Sequence, residues 1–161
     1  MSPSPSPGYK EYTRGDYANL PANDDDLENP YTVQDYTYIA TVDTNRVEQD
    51  ATAEYTIHQF KDYIGSAPSI YLDMKGIQVT LDPAVSTVYL QIYNRVTPAW
   101  ETVATMPGVY GSSYTVYGSD AVLYGAVGAN TDFDFYVQIP NTANYKDASD
   151  VVSCRIYQLV T

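Results

Sequence analysis

Alternation governs the stretch from Thr87 to Trp100, Thr-Val-Tyr-Leu-Gln-Ile-Tyr-Asn-Arg-Val-Thr-Pro-Ala-Trp. Val88, Leu90 and Ile92 fall on one side of an extended backbone, and Tyr89, Gln91 and Tyr93 on the other. A period of two belongs to a strand that buries one face. Asn94 to Pro98 supplies turn residues, and Trp100 opens a second run, Trp-Glu-Thr-Val-Ala-Thr. Together they predict an antiparallel hairpin at the centre of a sheet. The stretch Thr131–Ile139 alternates as cleanly: Phe133, Phe135, Val137 and Ile139 face a core, while Asp132, Asp134, Tyr136 and Gln138 face out.

Further strands are expected over 32–41, 54–64 and 151–160. Two runs flank Gly76, at 70–75 and 77–81, as a hairpin or a kinked strand. The apolar phase shifts between Ile57 and Phe60, which predicts a bulge. The Tyr- and Gly-rich stretch 109–128 reads as short strands or an inserted hairpin, the most elaborated surface loop of the chain. About eight or nine short alternating strands, with no long segment of helical period, define an all-β chain folded as an antiparallel β-sandwich.

Residues 1–30 read differently. Pro3, Pro5 and Pro7 alternate with serines and favour extended, polyproline-like backbone. Half of the 20 acids lie at or before Asp50. The composition predicts an extended N-terminal arm over 1–30, without structure of its own in an isolated monomer, followed by the sandwich over 31–161. Tyr9, Tyr12, Tyr17 and Tyr31 are the residues that would hold such an arm against a neighbouring subunit. Deleting 1–30 is then expected to leave a folded body that no longer assembles.

The arm carries two short motifs. Arg14-Gly15-Asp16 spells an integrin-type tripeptide, a pattern short enough to recur by chance. Asp24, Asp25, Asp26 and Glu28 supply oxygen ligands of the kind a structural Ca²⁺ takes. They lack the alternating Asp-x-Asp-x-Asp-Gly loop, and a solvated acidic linker is the plainer reading. No other cofactor is expected.

The balance of 20 acids against 8 bases, a formal charge of −12, argues against nucleic acid, whose phosphates need clustered Lys and Arg. No stretch approaches the roughly 20 apolar residues of a membrane span. The opening residues lack the apolar core of a secretory signal, so export is expected by another route, after signal removal, or inside a particle. The lone Cys154 sits in an alternating run with Val152 and Ile156 and reads as a small buried hydrophobe. His58 is the only histidine and reads as a sheet residue, with no partner set for a metal or a catalytic triad. No catalytic residues are assigned, and the chain is expected not to be an enzyme.

Tyrosine is the compositional anomaly, with 18 against 3 Phe and 1 Trp. It suits half-buried sheet faces, and it suits contact surfaces shared with neighbours or sugars.

From Tyr55 to Tyr157 the chain resembles a jelly-roll sandwich of the galactose-binding, discoidin-like type, in the versions appended to phage structural and prokaryotic surface proteins. The carrying residues are Ser86-Thr-Val-Tyr-Leu-Gln-Ile-Tyr-Asn, Ala99-Trp-Glu-Thr, Asn130-Thr-Asp-Phe-Asp-Phe, and Asn144-Tyr-Lys-Asp-Ala-Ser-Asp-Val-Val-Ser-Cys-Arg-Ile-Tyr. The resemblance implies loops at one end that bind sugars or membranes, and in some members a structural Ca²⁺. The insert at 109–128 and the arm fall outside that pattern.

Two function classes follow. One is a structural subunit of a supramolecular assembly, a virion component such as a head decoration or tail-associated protein, with an extracellular filament subunit as its near neighbour. Its partners are copies of itself and other structural proteins of the assembly. The other is a carbohydrate-binding or adhesion module for cell-surface glycans, with Asn94, Tyr114, Tyr117, Tyr124 and Asn144 as the residues placed to stack on rings or bind hydroxyls. The first class implies location in the virion, the second at the cell surface.

Overall fold

The computed structural model describes residues 8–41, 43, 45–50, 52–108, 115–116 and 128–160. They form nine strands and one helix: β1 (Lys10–Tyr17), β2 (Asn29–Pro30), α1 (Val33–Ile39), β3 (Tyr55–Tyr63), β4 (Ser69–Ile77), β5 (Val88–Asn94), β6 (Ala99–Met106), β7 (Thr115–Val116), β8 (Phe133–Pro140) and β9 (Val151–Leu159). All pairings are antiparallel. A six-stranded sheet runs β2-β1-β3-β9-β5-β6, and a three-stranded sheet runs β4-β8-β7. The two pack face to face as an all-β sandwich.

The core lies between the small sheet and the β9-β5-β6 half of the large one. Val88, Leu90 and Ile92 of β5, Val103 and Met106 of β6, Val152 and Cys154 of β9, and Phe133, Phe135, Val137 and Ile139 of β8 are all buried within it. The alternation in β5 and β8 therefore points where the sequence places it. Gly76 sits at φ +69° where the β4–β8 register shifts between Met74 and Ile77, so 70–77 is one kinked strand rather than a hairpin.

The inner face of the large sheet continues past the small sheet onto β3 and β1. Cross-strand partners share a face. Phe60, registered with Cys154 and Tyr12, and His58, registered with Ile156 and Arg14, therefore look inward. Here the cover is aromatic. Tyr31 and Tyr36 pack on Tyr12 at ring separations of 5.7 and 5.3 Å, and Tyr12 meets Phe60 edge-on at 4.9 Å. Tyr36 comes from α1, which occupies the centre of the strand expected over 32–41. A capping box closes its N-terminus: the Asp35 amide donates to Thr32 Oγ1, and the Thr32 amide to Asp35 Oδ2.

The outer face of the large sheet is covered as well. Between β1 and β2 the chain crosses it as a strap of residues 18–28, with Leu27 buried on the far side. This accounts for Ile57 and Gln59, which lie on the outer face yet are buried at 0% and 1% exposure. It also removes the bulge expected between Ile57 and Phe60. Neither the β1–β3 nor the β3–β9 register shifts there. The apolar phase changes because β3 is covered on both sides.

The division at residue 30 is likewise not the one the fold makes. Residues 10–17, expected in an arm reaching for a neighbour, pair with β3 of the same chain over their whole length. The strand is polar, but its side chains find partners at home. Arg14 Nη1 donates to Gln49 Oε1, and Leu27 N donates to Thr13 Oγ1. Asp16 Oδ2 accepts from the Thr52 hydroxyl and from the Thr52 and Ala53 amides. Residues 1–7 lie outside the described residues.

Candidate functional site

Three surfaces hold the residues singled out above. The first is the strap. Asp24 Oδ2 accepts from Arg95 Nη1 at 3.0 Å and from Ser153 Oγ at 2.7 Å. Gln59 Nε2 donates to the Asp24 and Asp25 carbonyls, Trp100 Nε1 to the Asn23 carbonyl, and Arg155 Nη1 to the Pro21 carbonyl. Arg155 also lies 4.2 Å over the Trp100 ring. Asp26 Oδ1 takes Lys61 Nζ at 2.8 Å. Its hydrogen bond with Glu11 raises the Glu11 carboxyl above the usual range; the same bond and Lys61 hold Asp26 below it despite partial burial. Glu28 Oε1 accepts from the Asp16 amide.

Thus Asp24, Asp26 and Glu28, grouped in sequence as calcium ligands, are dispersed to three different partners while Asp25 faces solvent. Among the described residues no cluster of three or more His, Cys, Asp or Glu is placed to hold a metal ion. The Arg14-Gly15-Asp16 tripeptide is a segment of β1 with both charged ends turned to internal partners.

The second surface is the aromatic cover of β1 and β3, which takes two of the four arm tyrosines. Tyr12 and Tyr31 are buried at 9% and 8% exposure. Burial raises both phenols above the ordinary tyrosine range, aided at Tyr12 by the nearby Asp62 carboxylate, whose Oδ1 accepts the Tyr12 hydroxyl at 2.8 Å. The Tyr31 hydroxyl lies 2.6 Å from His58 Nδ1. Burial and the Arg14 guanidinium lower the His58 imidazole to about 4, so the ring is neutral near pH 7 and shares a hydrogen bond with the Tyr31 hydroxyl. Tyr9 and Tyr17 lie at the two ends of this region. The Tyr9 hydroxyl donates to Glu11 Oε2, and the Tyr17 hydroxyl accepts from the Glu28 amide.

The third surface is the loop end where β5 turns into β6 and β8 into β9. Arg95 N donates to the Asn144 carbonyl at 2.6 Å, so the structure does bring Asn94 and Asn144 to one place. Their side chains differ in use. Asn94 is buried; its Oδ1 accepts from the Val96 and Thr97 amides and its Nδ2 donates to Glu101, which makes it the cap of the hairpin turn. Asn144 is exposed. Tyr114, Tyr117 and Tyr124 lie outside the described residues.

Tyr136, expected to face out, stands on the outer face of the small sheet beside Tyr71, a pairing the sequence does not show. Tyr71, 54% exposed, lies 6.4 Å from Tyr136 with the rings 22° apart. Gln138 Nε2 donates to Ser69 Oγ and to the Tyr71 hydroxyl. The available signal was phase: Tyr71 alternates out of step with the buried Ile70 and Leu72.

No protein-family model, curated protein or solved structure matches the chain. Among the described residues no helix is long and apolar enough to cross a membrane.

Proposed function

We propose that the chain is a non-enzymatic structural subunit of a supramolecular assembly, and that its sandwich is a galactose-binding-like jelly roll of the kind found in phage virions. One observation carries this reading: the reactive and cationic side chains are spent on holding the body together. His58 is hydrogen-bonded to Tyr31, and Cys154 is buried, its thiol raised well above its usual range by desolvation. Each of the 8 basic residues has an internal partner, whether a carboxylate, an amide or a ring. What faces outward among the described residues is a mixture of carboxylates, Lys10 and Lys75, Tyr71 and the apolar Val33, Val85 and Val96, a surface suited to contact rather than chemistry. With residues 10–31 committed to the body, the leader ahead of Tyr9 is the part left to reach a neighbour.

The experiment compares the full chain with a version lacking residues 1–8, by size-exclusion chromatography with light scattering across concentration and salt. Assembly by the full chain, lost on truncation at unchanged melting temperature, is the expected result. A full chain that stays monomeric under every condition, including with its genomic neighbours' products, overturns the reading.

A second reading, a glycan-binding module, is favoured by the exposed Tyr71 stacked on the half-buried Tyr136 with Gln138 beside it, since tyrosine offers a flat apolar face with a polar rim. It predicts array binding by the monomer that falls at least tenfold in Tyr71→Ala. Equal binding by the two proteins removes this surface from consideration.

A further inference from the structure

We propose that the Tyr31–His58 contact is an acid-sensitive latch that holds the N-terminal cover, β2 and α1, against the large sheet. Beyond this contact the cover is held by the ring contacts of Tyr31 and Tyr36 with Tyr12 and by the Tyr31 amide on the Tyr12 carbonyl. β2 pairs with β1 at only two positions, and α1 has no buried residue. Val33 and Ile39, its apolar side chains, are 87% and 40% exposed. The helix contributes Tyr36, whose hydroxyl accepts from the Tyr12 amide at 2.8 Å. Tyr31 is the buried anchor, and its hydroxyl ends on His58 Nδ1.

Protonation leaves both ring nitrogens as donors and puts a charge on a ring held beneath the cover. The surroundings make the proton costly. β1 presents Arg14, whose Nη1 is bound to the neutral Gln49 and whose buried Nε has no partner among the described residues. β9 presents Ile156 as the cross-strand neighbour, and the Phe60 ring lies nearly parallel to the imidazole. α1 presents Tyr36 and one carboxylate, Asp35, which is engaged by the Thr32 amide. A second positive charge beside Arg14 therefore meets no free counter-ion in the contacts seen here.

The linkage has a definite sign. His58 is lowered in the folded state from 6.5 to about 4. In that window the opened state binds more protons, so the cover is held fully above pH 6.5 and weakens as pH falls toward 4. One proton per opening gives roughly tenfold more opening per pH unit across the window. The large hydrophobic core contains no imidazole and does not share this dependence.

Hydrogen-exchange protection of residues 31–39, followed from pH 7 to pH 4, tests the latch. In the native chain it should fall roughly tenfold per pH unit while β5 and β8 keep their protection. His58→Gln keeps an oxygen acceptor that cannot be protonated, and its 31–39 profile should be flat over the same range. Should that variant fall as the native chain does, the response comes from Asp35 or other carboxylates and the latch is rejected. Loss of β5 and β8 together with 31–39 also rejects it, as does a native profile without any fall. Since His58 is the only histidine, an NMR titration of the native ring serves as the second measurement. A midpoint at or above 6.5 overturns the inference independently of any variant.

Discussion

Asp24 Oδ2 sits between Arg95 and Ser153; removing it takes the carboxylate from Arg95, which keeps the Tyr145 and Val151 carbonyls and Ser153 Oγ, and takes the acceptor from the Ser153 hydroxyl. Ser153 is fully buried and cannot turn to water. Asp25, one residue on, is exposed. Asp24→Ala should therefore lower unfolding stability by about 2–3 kcal/mol, the cost of unpairing partly buried charge-assisted hydrogen bonds. Asp25→Ala should stay within about 0.5 kcal/mol of the native chain. Urea denaturation of both variants measures the contrast, and equal midpoints would mean that the strap is not clamped through Asp24. In the sequence these two acids are indistinguishable members of one run. What separates them is Ser153, 129 positions away, which no local pattern can reveal.

At the scale of elements, legibility followed periodicity. β8 buries one face against the core, and β5, though Gln91 and Tyr93 are buried on its other side, keeps its aliphatic residues Val88, Leu90 and Ile92 on the core face, so the alternation of both is visible in the chain. β3 is buried on both faces, which breaks the alternation without breaking the strand. The helix α1 was hidden because Val33 and Ile39 point to solvent and leave no apolar stripe at helical spacing. Its one local signal was the Thr32-Val-Gln-Asp35 capping box. Of the candidate site residues, position was legible and use was not. Asn94 and Asn144 do meet at one end of the sandwich, but Asn94 is consumed by its own turn, and Tyr136, read as facing out, meets Tyr71 only through the β4–β8 register, which no local pattern reveals.

For the molecule as a whole, the first thirty residues supply a strand, a strap and part of a cover. Without them the flank of β3 is bare, Asp62 loses the Tyr12 hydroxyl, and Gln59, Trp100, Arg95 and Arg155 lose partners across the outer face. A chain lacking residues 1–30 should fail to fold or should aggregate, contrary to the expectation from composition. One lacking 1–8 should melt at the native temperature. Circular dichroism melts of the two truncations settle the point: a cooperative, native-like melt for the longer deletion would show that β1 is dispensable to the body.

β9, the last strand in the chain, lies between β3 and β5 and supplies both with an edge to pair against. The centre of the large sheet is thus the last of the nine described strands to be synthesised. A nascent polypeptide halted anywhere short of Val151 presents two separated half-sheets with bare flanks, and closure of the body becomes an event that waits for Val151–Leu159 to emerge.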